Sequence, residues 1–422
     1  MRRLAAMVAV VALFGAACGK DKTTSTATTT TTAAAATSGA VTVQVDGKPA
    51  DLSMSALAYF PQAVTVHAGD KVTFHSNDTG EPHTVTLGTI IDTSLKAFNA
   101  LPDAIKNADA PPDAAAIAKL PADQQQAVKD AMSVDDKLPA LLPDGPGDAN
   151  QIAANPCFLA TGDPVKDTAC AKVAPQPAFD GKQSVYSSGY LSADATFDVT
   201  LASDIAPGTY NYMCLLHRQG MTGTITVVAK DQTVPTADEV QKAGAKELED
   251  KFASKLRAQA TQLATAPADK AVAGAPPLPG QEQLEASLNV FGPTELAAKV
   301  GTPVVWTVAG PHTISINAPE DTKGVMTKAP DGSWHANAKT FAPAGGAGAP
   351  PPPSGPPAAP DPNAKPVVVD GGTFDGTSFH SSGALLSFGS PTYQYKLTFA
   401  KAGSYTVQCQ IHPDMKGTVK VS

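Results

Sequence analysis

The sequence is poor in charge, in cysteine and in long apolar runs. Only 17% of its 422 residues are charged, and 39 acidic residues outnumber 31 basic ones, for a net charge of -8. This balance argues against a nucleic-acid-binding protein, because such proteins present a basic surface. Five cysteines are too few for a disulfide scaffold. Beyond the N-terminus, no stretch approaches the ~18 consecutive apolar residues of a membrane helix.

Glycine and proline, in contrast, are plentiful. The chain has 34 glycines and 37 prolines, which predicts a loop-rich protein with room for long insertions. At about 100–200 residues per domain, the length allows two or three domains.

The N-terminal residues carry the pattern of an export signal. A start with two arginines precedes an apolar run, Leu4–Phe14, and small residues then lead to Cys18. This order resembles a bacterial lipoprotein signal, in which the cysteine is lipidated and becomes the first residue of the mature protein. The resemblance implies a signal peptide over 1–17 and a lipid-anchored Thr/Ala-rich tether over 18–40. We therefore expect the protein on the extracytoplasmic face of the bacterial cell membrane, or secreted or periplasmic if the anchor is absent.

Three sequence blocks occur twice, in the same order. They are Pro82–Val85 and Pro311–Ile314, Phe179–Gly181 and Phe374–Gly376, and Gly208–Val228 and Gly403–Val421. Alternating apolar residues between Gly, Pro and Asp turns predict strands in and around each block. Such recurrence indicates a duplicated domain, and several short strands in each copy predict an all-β chain with two β-sandwiches.

The blocks also set the expected domain boundaries. The first domain spans 41–230 with a helical insertion at about 90–177, and the second spans 284–422 with a Pro/Gly-rich insertion at about 319–368. Between them, 231–283 forms a helical and Ala/Pro-rich linker. Its helix begins at a capping box headed by Thr236.

Each copy offers one early histidine and then a cysteine, a histidine and a methionine close together. The two sets are His83, Cys214, His217 and Met221, and His312, Cys409, His412 and Met415. A thiolate, two imidazoles and a thioether form a soft ligand set, and a weak axial methionine beside His₂Cys is the composition of a blue-copper site. Zinc is less favoured, because it prefers Cys or His in the place of Met.

These residues resemble the cupredoxin family, which includes plastocyanin, amicyanin, pseudoazurin and azurin. The resemblance implies a Greek-key β-sandwich in each copy and two type 1 (blue) copper ions, one per domain, bound by the two ligand sets. The second ligand loop, Gln408–Met415, is most similar to the short amicyanin loop, and the first loop is one residue longer. The implied function is extracytoplasmic one-electron transfer between redox partner proteins at the membrane or outside it.

The remaining cysteines are expected to pair. Once Cys18 is assigned to lipid and Cys214 and Cys409 to copper, Cys157 and Cys170 are left inside the first insertion of an exported protein. A disulfide between them is the simple interpretation.

The histidine count favours a carrier over an enzyme. Copper oxidases and nitrite reductases built from cupredoxin domains need a further copper held by several histidines. The chain has eight histidines, four of them already assigned, and no His-x-His run. We therefore expect no catalysis, no small-molecule substrate and no nucleic acid. Two alternatives stay open: an envelope copper capture or delivery protein, and an accessory subunit of a copper reductase or oxidase.

Overall fold

The structure is a computed structural model of the chain. It describes residues 40–77, 79–102, 105, 114–135, 156–159, 176–275, 286–346, 364–387 and 392–422. Strands outnumber helices among the described elements, and they form two sandwiches, each with its own buried core. The expected all-β class is confirmed.

The first sandwich consists of two sheets. In spatial order, one sheet contains β3 (Tyr59–Phe60), β1 (Val41–Val45), β5 (Lys71–Ser76) and β9 (Thr196–Thr200). The other contains β4 (Ala63–His67), β11 (Arg218–Val228), β10 (Gly208–Cys214), β6 (Thr86–Leu87), β8 (Val185–Ser187) and β7 (Cys157–Leu159). Alternate residues of β1 and β5 are buried, as period-two side-chain geometry requires.

The second sandwich is built in the same way. One sheet contains β2 (Met54–Ala56), β13 (Ala286–Gly292), β12 (Val272–Ala275), β15 (Pro303–Val308), β23 (Tyr393–Phe399) and β20 (Val367–Phe374). The other contains β14 (Glu295–Ala298), β25 (Lys416–Val421), β24 (Gly403–Gln408), β17 (Ser315–Ile316) and β21 (His380–Ser381). Two small ribbons pair β16 (Gly310–His312) with β22 (Leu385–Ser387), and β18 (Met326–Lys328) with β19 (Trp334–Ala336).

The same strand pairings occur in both sandwiches. β1 is parallel to β5 as β12 is to β15, and β4 is parallel to β11 as β14 is to β25. β10 is antiparallel to β11 as β24 is to β25. By these registers, Asp46, directly after β1, occupies the position in the first sandwich that Gly274 of β12 occupies in the second. Both residues have a positive φ angle, 64° at Asp46 and 74° at Gly274.

Helices fill the insertions and the connection between the sandwiches. They are α1 (Thr89–Asn99), α2 (Ala114–Ala118), α3 (Ala122–Asp135), α4 (Ala237–Leu248), a π-helical turn (Glu249–Ala253), α5 (Ser254–Ala264), α6 (Ala338–Phe341) and 3₁₀ turns at Ala268–Lys270 and Glu320–Thr322. The predicted capping box is present: the Thr236 hydroxyl accepts the Glu239 N–H, and the Glu239 carboxylate accepts the Thr236 N–H. The prediction of a helix starting there is therefore confirmed.

The connecting helices pack into a cluster shared by both sandwiches. Phe252 and Leu256 are buried with Phe60 of the first sandwich and Leu288 of the second, and the rings of Phe60 and Phe252 meet edge to face at 5.6 Å. The short strand β2 precedes most of the first sandwich in sequence, yet it pairs with β13 of the second. Apolar burial and main-chain pairing therefore fix the two sandwiches against each other.

One strand lies inside the range predicted as linker. Val272–Ala275 forms β12, which pairs with β13 and β15 of the second sandwich. Three of its four residues are buried. Its small residues gave no strand pattern in the sequence, because Ala and Gly carry little apolar periodicity, and the pairing is decided by the sheet around it.

Candidate metal centres

Two clusters of metal-ligating side chains occur in the described residues, one in each sandwich. They are His83, Cys214 and His217, and His312, Cys409 and His412, and in each cluster the candidate donor atoms lie within 4.8 Å of one another. All six residues come from the sets that the sequence predicts as ligands. We call the clusters site 1 and site 2.

The strands position the candidate ligands of site 1. Cys214 is the last residue of β10, His217 lies in the turn that follows, and His83 bridges to Leu191 just before β6. The pairing register shifts between Met213 and Cys214, a bulge of the kind that re-aims a side chain. The sequence places Met221 in the loop, whereas the structure places it within β11, fully buried in the same core as Cys214.

The strands position the candidate ligands of site 2 in nearly the same way. Cys409 follows β24, Met415 precedes β25, and His312 ends β16. The loop is closed by two backbone hydrogen bonds, from the Cys409 N–H to the Met415 carbonyl and from the Met415 N–H to the His412 carbonyl. Met415 is fully buried in one core with Cys409.

The donor atoms converge closely at both sites. In site 1, Nδ1 of His217 lies 3.5 Å from Sγ of Cys214. In site 2, Nδ1 of His412 lies 3.6 Å from Sγ of Cys409, and Nδ1 of His312 lies 4.0 Å from the same sulfur. The two Nδ1 atoms of site 2 are 3.0 Å apart.

A threonine supports the cysteine at each site. The backbone N–H of Thr84 donates to Sγ of Cys214 at 3.4 Å, and that of Thr313 donates to Sγ of Cys409 at 3.3 Å. Each threonine hydroxyl then accepts the N–H of the residue after the cysteine, at 2.9 Å from Leu215 and 2.7 Å from Gln410. The sequence argument missed this role, although both threonines stand in the repeated Pro-His-Thr block.

A buried carboxylate distinguishes site 1. Asp46 is fully buried, and its Oδ2 lies 3.0 Å from Nε2 of His83 and accepts the Thr79 hydroxyl at 2.7 Å. Its other oxygen accepts the backbone N–H groups of Gly47 and Ala56. Carboxylates in this position orient a metal-binding imidazole and fix its tautomer. Because Nε2 is engaged in this way, the buried Nδ1 of His83, which has no hydrogen-bond partner in the described part of the chain, is left for a metal.

A different carboxylate contacts site 2. Nε2 of His412 lies 3.0 Å from Oε1 of Glu81, a residue of the first sandwich. His312 has no such partner: its Nε2 is buried without a hydrogen bond among the described residues, and a Cβ added to Gly274 would lie 2.1 Å from it. Neither Asp46 nor Glu81 stood out in the sequence, because the matching positions in the second sandwich hold glycines, Gly274 and Gly310, and no carboxylate recurs there.

The electrostatics favour thiolates at both sites. Burial alone would raise the pKa of Cys214, but the charge and hydrogen bond of His217 hold it well below the usual value. Burial would also raise the pKa of Cys409, but its hydrogen bonds with His312 and His412 hold it well below the usual value. A thiolate is the form of cysteine that binds metal, so the metal-free fold favours the binding form of both cysteines.

The pKa values of the histidines depend on whether a carboxylate contacts them. Burial lowers the pKa of His83, but the hydrogen bond with Asp46 and the nearby thiolate of Cys214 outweigh this and raise it to about 10. Burial also lowers the pKa of His412, but its hydrogen bonds with Cys409 and Glu81 outweigh this and raise it to about 10. At His312 burial dominates, and its pKa is lowered.

The donor set fits copper. Two imidazoles and a thiolate converge, a buried thioether lies in the same loop or strand, and the buried Nδ1 of His83 has no other partner among the described residues. Soft sulfur ligands combined with imidazole suit copper in either oxidation state. The remaining described histidines, His67, His75, His335 and His380, belong to neither cluster.

Several predicted features lie outside the described residues. These are the signal peptide over 1–17, Cys18, nearly all of the tether over 18–40, and Cys170. Cys157 is buried in β7, and its disulfide with Cys170 stays a prediction. No helix among the described residues is long and apolar enough to cross a membrane.

The comparisons with known proteins find likeness at the level of solved structures. No protein-family model matches the chain, and no curated protein matches it. A copper(I) form of an amicyanin variant aligns at 12% identity over 45% of this chain and 83% of its own, with a TM-score of 0.19. A reduced auracyanin from Roseiflexus castenholzii aligns at 18% identity over 45% of this chain and 97% of its own, with a TM-score of 0.20. Auracyanin A from Chloroflexus aurantiacus, a blue copper protein, aligns at 17% identity over 45% and 98%, with a TM-score of 0.20.

Proposed function

We propose that the protein is a one-electron carrier with two type 1 copper ions, one in each sandwich. The ligands are His83, Cys214, His217 and Met221 at site 1, and His312, Cys409, His412 and Met415 at site 2. The observation that carries this proposal is the repetition of one buried donor set: in each sandwich a cysteine and two histidines bring their donor atoms within 4.8 Å.

The residues around the proposed ligands hold them in fixed positions, which suits electron transfer. Each cysteine is held by a threonine N–H and lies at the end of a strand, and each ligand loop is only a few residues long. Ligands that cannot rearrange hold similar positions around both oxidation states of copper, so little reorganisation accompanies the electron. Copper bound at these sites would supply the one-electron couple, and the chain supplies the rigid, largely buried shell.

The two sandwiches would be copies of one domain. The shared strand pairings and the repeated ligand blocks support a duplication, with the first domain over 41–230. The second domain begins at Ala271 in this proposal, ahead of the 284 expected from the sequence, because β12 belongs to its sheet.

The carrier would be anchored outside the cytoplasm through lipid on Cys18, after removal of residues 1–17. Its partners would then be redox proteins at the membrane or beyond it. Cys18→Ser should move the protein from the membrane fraction to the soluble fraction, and a variant that stays in the membrane after a salt wash would contradict the anchor.

Visible absorption and redox titration of the copper-loaded protein test the function. The Cys–copper bonds should give an intense blue colour that disappears on reduction and returns on oxidation. The double variant Cys214→Ser, Cys409→Ser is the matched control and should be colourless. Loose, exchangeable Cu(I) without colour would favour copper capture or delivery instead, and an additional copper spectrum would favour a subunit of an oxidase or reductase.

A further inference from the structure

Glu81 connects the two candidate centres. Its carboxylate contacts Nε2 of His412 at 3.0 Å, and its side chain is only 12% exposed. Along the backbone it is separated from His83, a ligand of site 1, by Pro82 alone. One residue of the first sandwich therefore contacts a ligand of site 2 while standing beside a ligand of site 1.

The backbone around Glu81 is shaped for this contact. Gly80 has a φ of 93°, and a Cβ added to it would lie 2.1 Å from the carbonyl oxygen of Ile411 and 2.8 Å from Cα of His412. Only glycine allows so close an approach in this conformation. Proline after Glu81 restricts the backbone on the other side. The loop is therefore set against the site 2 ligand loop by its backbone as well as by one carboxylate.

Other contacts hold the same interface. Lys48 of the first sandwich forms an ion pair with Asp414 of the site 2 loop at 2.5 Å. The rings of Tyr190 and Trp334 meet edge to face across the sandwiches at 4.9 Å. With β2 paired to β13 as well, the Glu81–His412 contact lies within an extensive interface.

Glu81 is not needed to build the ligand block itself. The second copy has Gly310 at the matching place before its Pro-His pair, and its histidine still reaches the cysteine. The carboxylate is therefore particular to the first copy, the one whose loop faces the other site.

The two sites differ in how a protein partner can reach them. His217 of site 1 is partly exposed, whereas every histidine and cysteine of site 2 is buried, with His412 only 1% exposed. A cavity of about 450 Å³ between the sandwiches is lined by Glu81 and Cys409. A space of that size admits a small molecule but not a protein surface.

We propose that Glu81 joins the two centres into one redox unit: it positions His412, and its backbone and Pro82 connect that imidazole to His83, so that a partner's electron reaches site 2 through site 1. This inference rests on the proposed function, because it needs copper at both sites. The step is balanced within the chain: one electron leaves Cu(I) at one site, which becomes Cu(II), and Cu(II) at the other site becomes Cu(I). No proton and no outside reagent takes part.

Pulse reduction of the fully loaded chain tests the proposal. A pulse that reduces about one copper per molecule should be followed by a phase whose rate does not depend on protein concentration, as the electron redistributes between sites. The single variants Cys214→Ser and Cys409→Ser supply the separate spectra. Glu81→Ala should slow this phase by about tenfold or more, because an electron tunnels less well across a gap than through bonds.

Two variants separate positioning from bulk structure. Glu81→Gln keeps an oxygen that can accept the His412 N–H, so it should keep most of the rate while raising the potential of site 2 through loss of the negative charge. Lys48→Gln removes a charged contact between the sandwiches but touches no ligand, and it should leave the rate unchanged. In the diamagnetic Cu(I) protein, the Nε2–H resonance of His412 should stay protected from exchange in Glu81→Gln and lose protection in Glu81→Ala.

A protein electron donor gives a second, independent measurement. A small cytochrome c should reduce site 1 alone, in Cys409→Ser, about tenfold or more faster than site 2 alone, in Cys214→Ser. Equal rates of reduction of the two variants would contradict the inference that electrons enter through site 1. Two blue coppers in the wild type with an unchanged redistribution rate in Glu81→Ala would overturn the inference alone, whereas a wild type lacking either blue copper would overturn the proposed function and the inference with it.

Discussion

The two candidate centres share their ligand types and differ in what surrounds them. At site 1, the early histidine His83 is held by the buried carboxylate of Asp46, and the later histidine His217 is partly exposed. At site 2, the early histidine His312 has no partner at Nε2 among the described residues, and the later histidine His412 is covered by Glu81. A carboxylate therefore contacts the early histidine at site 1 and the later histidine at site 2.

This difference teaches that two sites with the same candidate ligand types need not have the same function. The groups beyond the ligands set solvent access, charge and the orientation of the imidazoles, and these control potential and partner access. In this chain, site 1 has one partly exposed histidine, His217, whereas the histidines and the cysteine of site 2 are all buried. The following predictions test that contrast.

The largest effect should come from the cysteines. Cys214→Ser should abolish the blue colour of site 1 and leave site 2 with its own spectrum, and Cys409→Ser should do the reverse. The reason is that the thiolate supplies both the charge-transfer colour and the strongest in-plane bond, which a hydroxyl cannot replace. Visible and paramagnetic resonance spectra of the two variants check this. Loss of both sites after either change would show that the sites share ligands or fold as one unit.

The next largest effect should come from Asp46. Asp46→Asn keeps a residue that tolerates the positive φ of 64°. The N–H groups of Gly47 and Ala56 should hold its amide oxygen, so its NH₂ group would face Nε2 of His83, which then loses both its acceptor and the negative charge. Copper affinity at site 1 should fall by about 10–100-fold, as measured by competition with a copper chelator. Site 2 serves as the internal control, since Gly274 stands in the corresponding place. An equal loss of affinity at both sites would contradict the assignment.

A smaller effect is expected from Gly80, which lies in the loop of the first sandwich that covers site 2. Gly80→Ala should destabilise the copper-free protein by about 1–3 kcal/mol, because the added Cβ meets the Ile411 carbonyl at a backbone angle that favours glycine. Urea unfolding measures the change. Gly208→Ala is the matched control, because a Cβ there has nothing within 4 Å, and it should be close to neutral. Equal stability of the two variants would show that the loop does not pack as described.

The smallest effect should come from the methionines. Met221→Leu and Met415→Leu should each keep a blue copper and mainly raise the potential of that site, because the axial bond is long and weak and its loss makes Cu(II) less favourable. Redox titration of each variant checks this. Complete loss of colour in either would show that the methionine holds the copper as strongly as the in-plane ligands do.

Much of the fold and the ligand clusters could be predicted from the sequence, because both depend on local patterns. Alternating residues gave the strands, and the spacing around Cys214 and Cys409 placed each cysteine beside a histidine. The capping box at Thr236 fixed the start of the connecting helix. In each case the decisive residues lie within a few positions of one another or recur in both copies.

The supporting groups could not be predicted, because they depend on long-range packing. Asp46 reaches His83 across 37 positions, and Glu81 reaches His412 across 331. The strand β12 was missed because its Ala and Gly residues show no periodicity. Thr84 and Thr313 were missed although they recur in the repeated block, and that repetition is the signal that could have indicated a shared role.

The copper count of the purified, fully loaded chain tests the central claim most directly. Metal analysis combined with integration of the Cu(II) resonance should give two copper ions per chain, both with type 1 spectra and both lost on reduction. A well-metallated preparation that holds only one copper, or two coppers without type 1 spectra, would contradict the account of two complete sites.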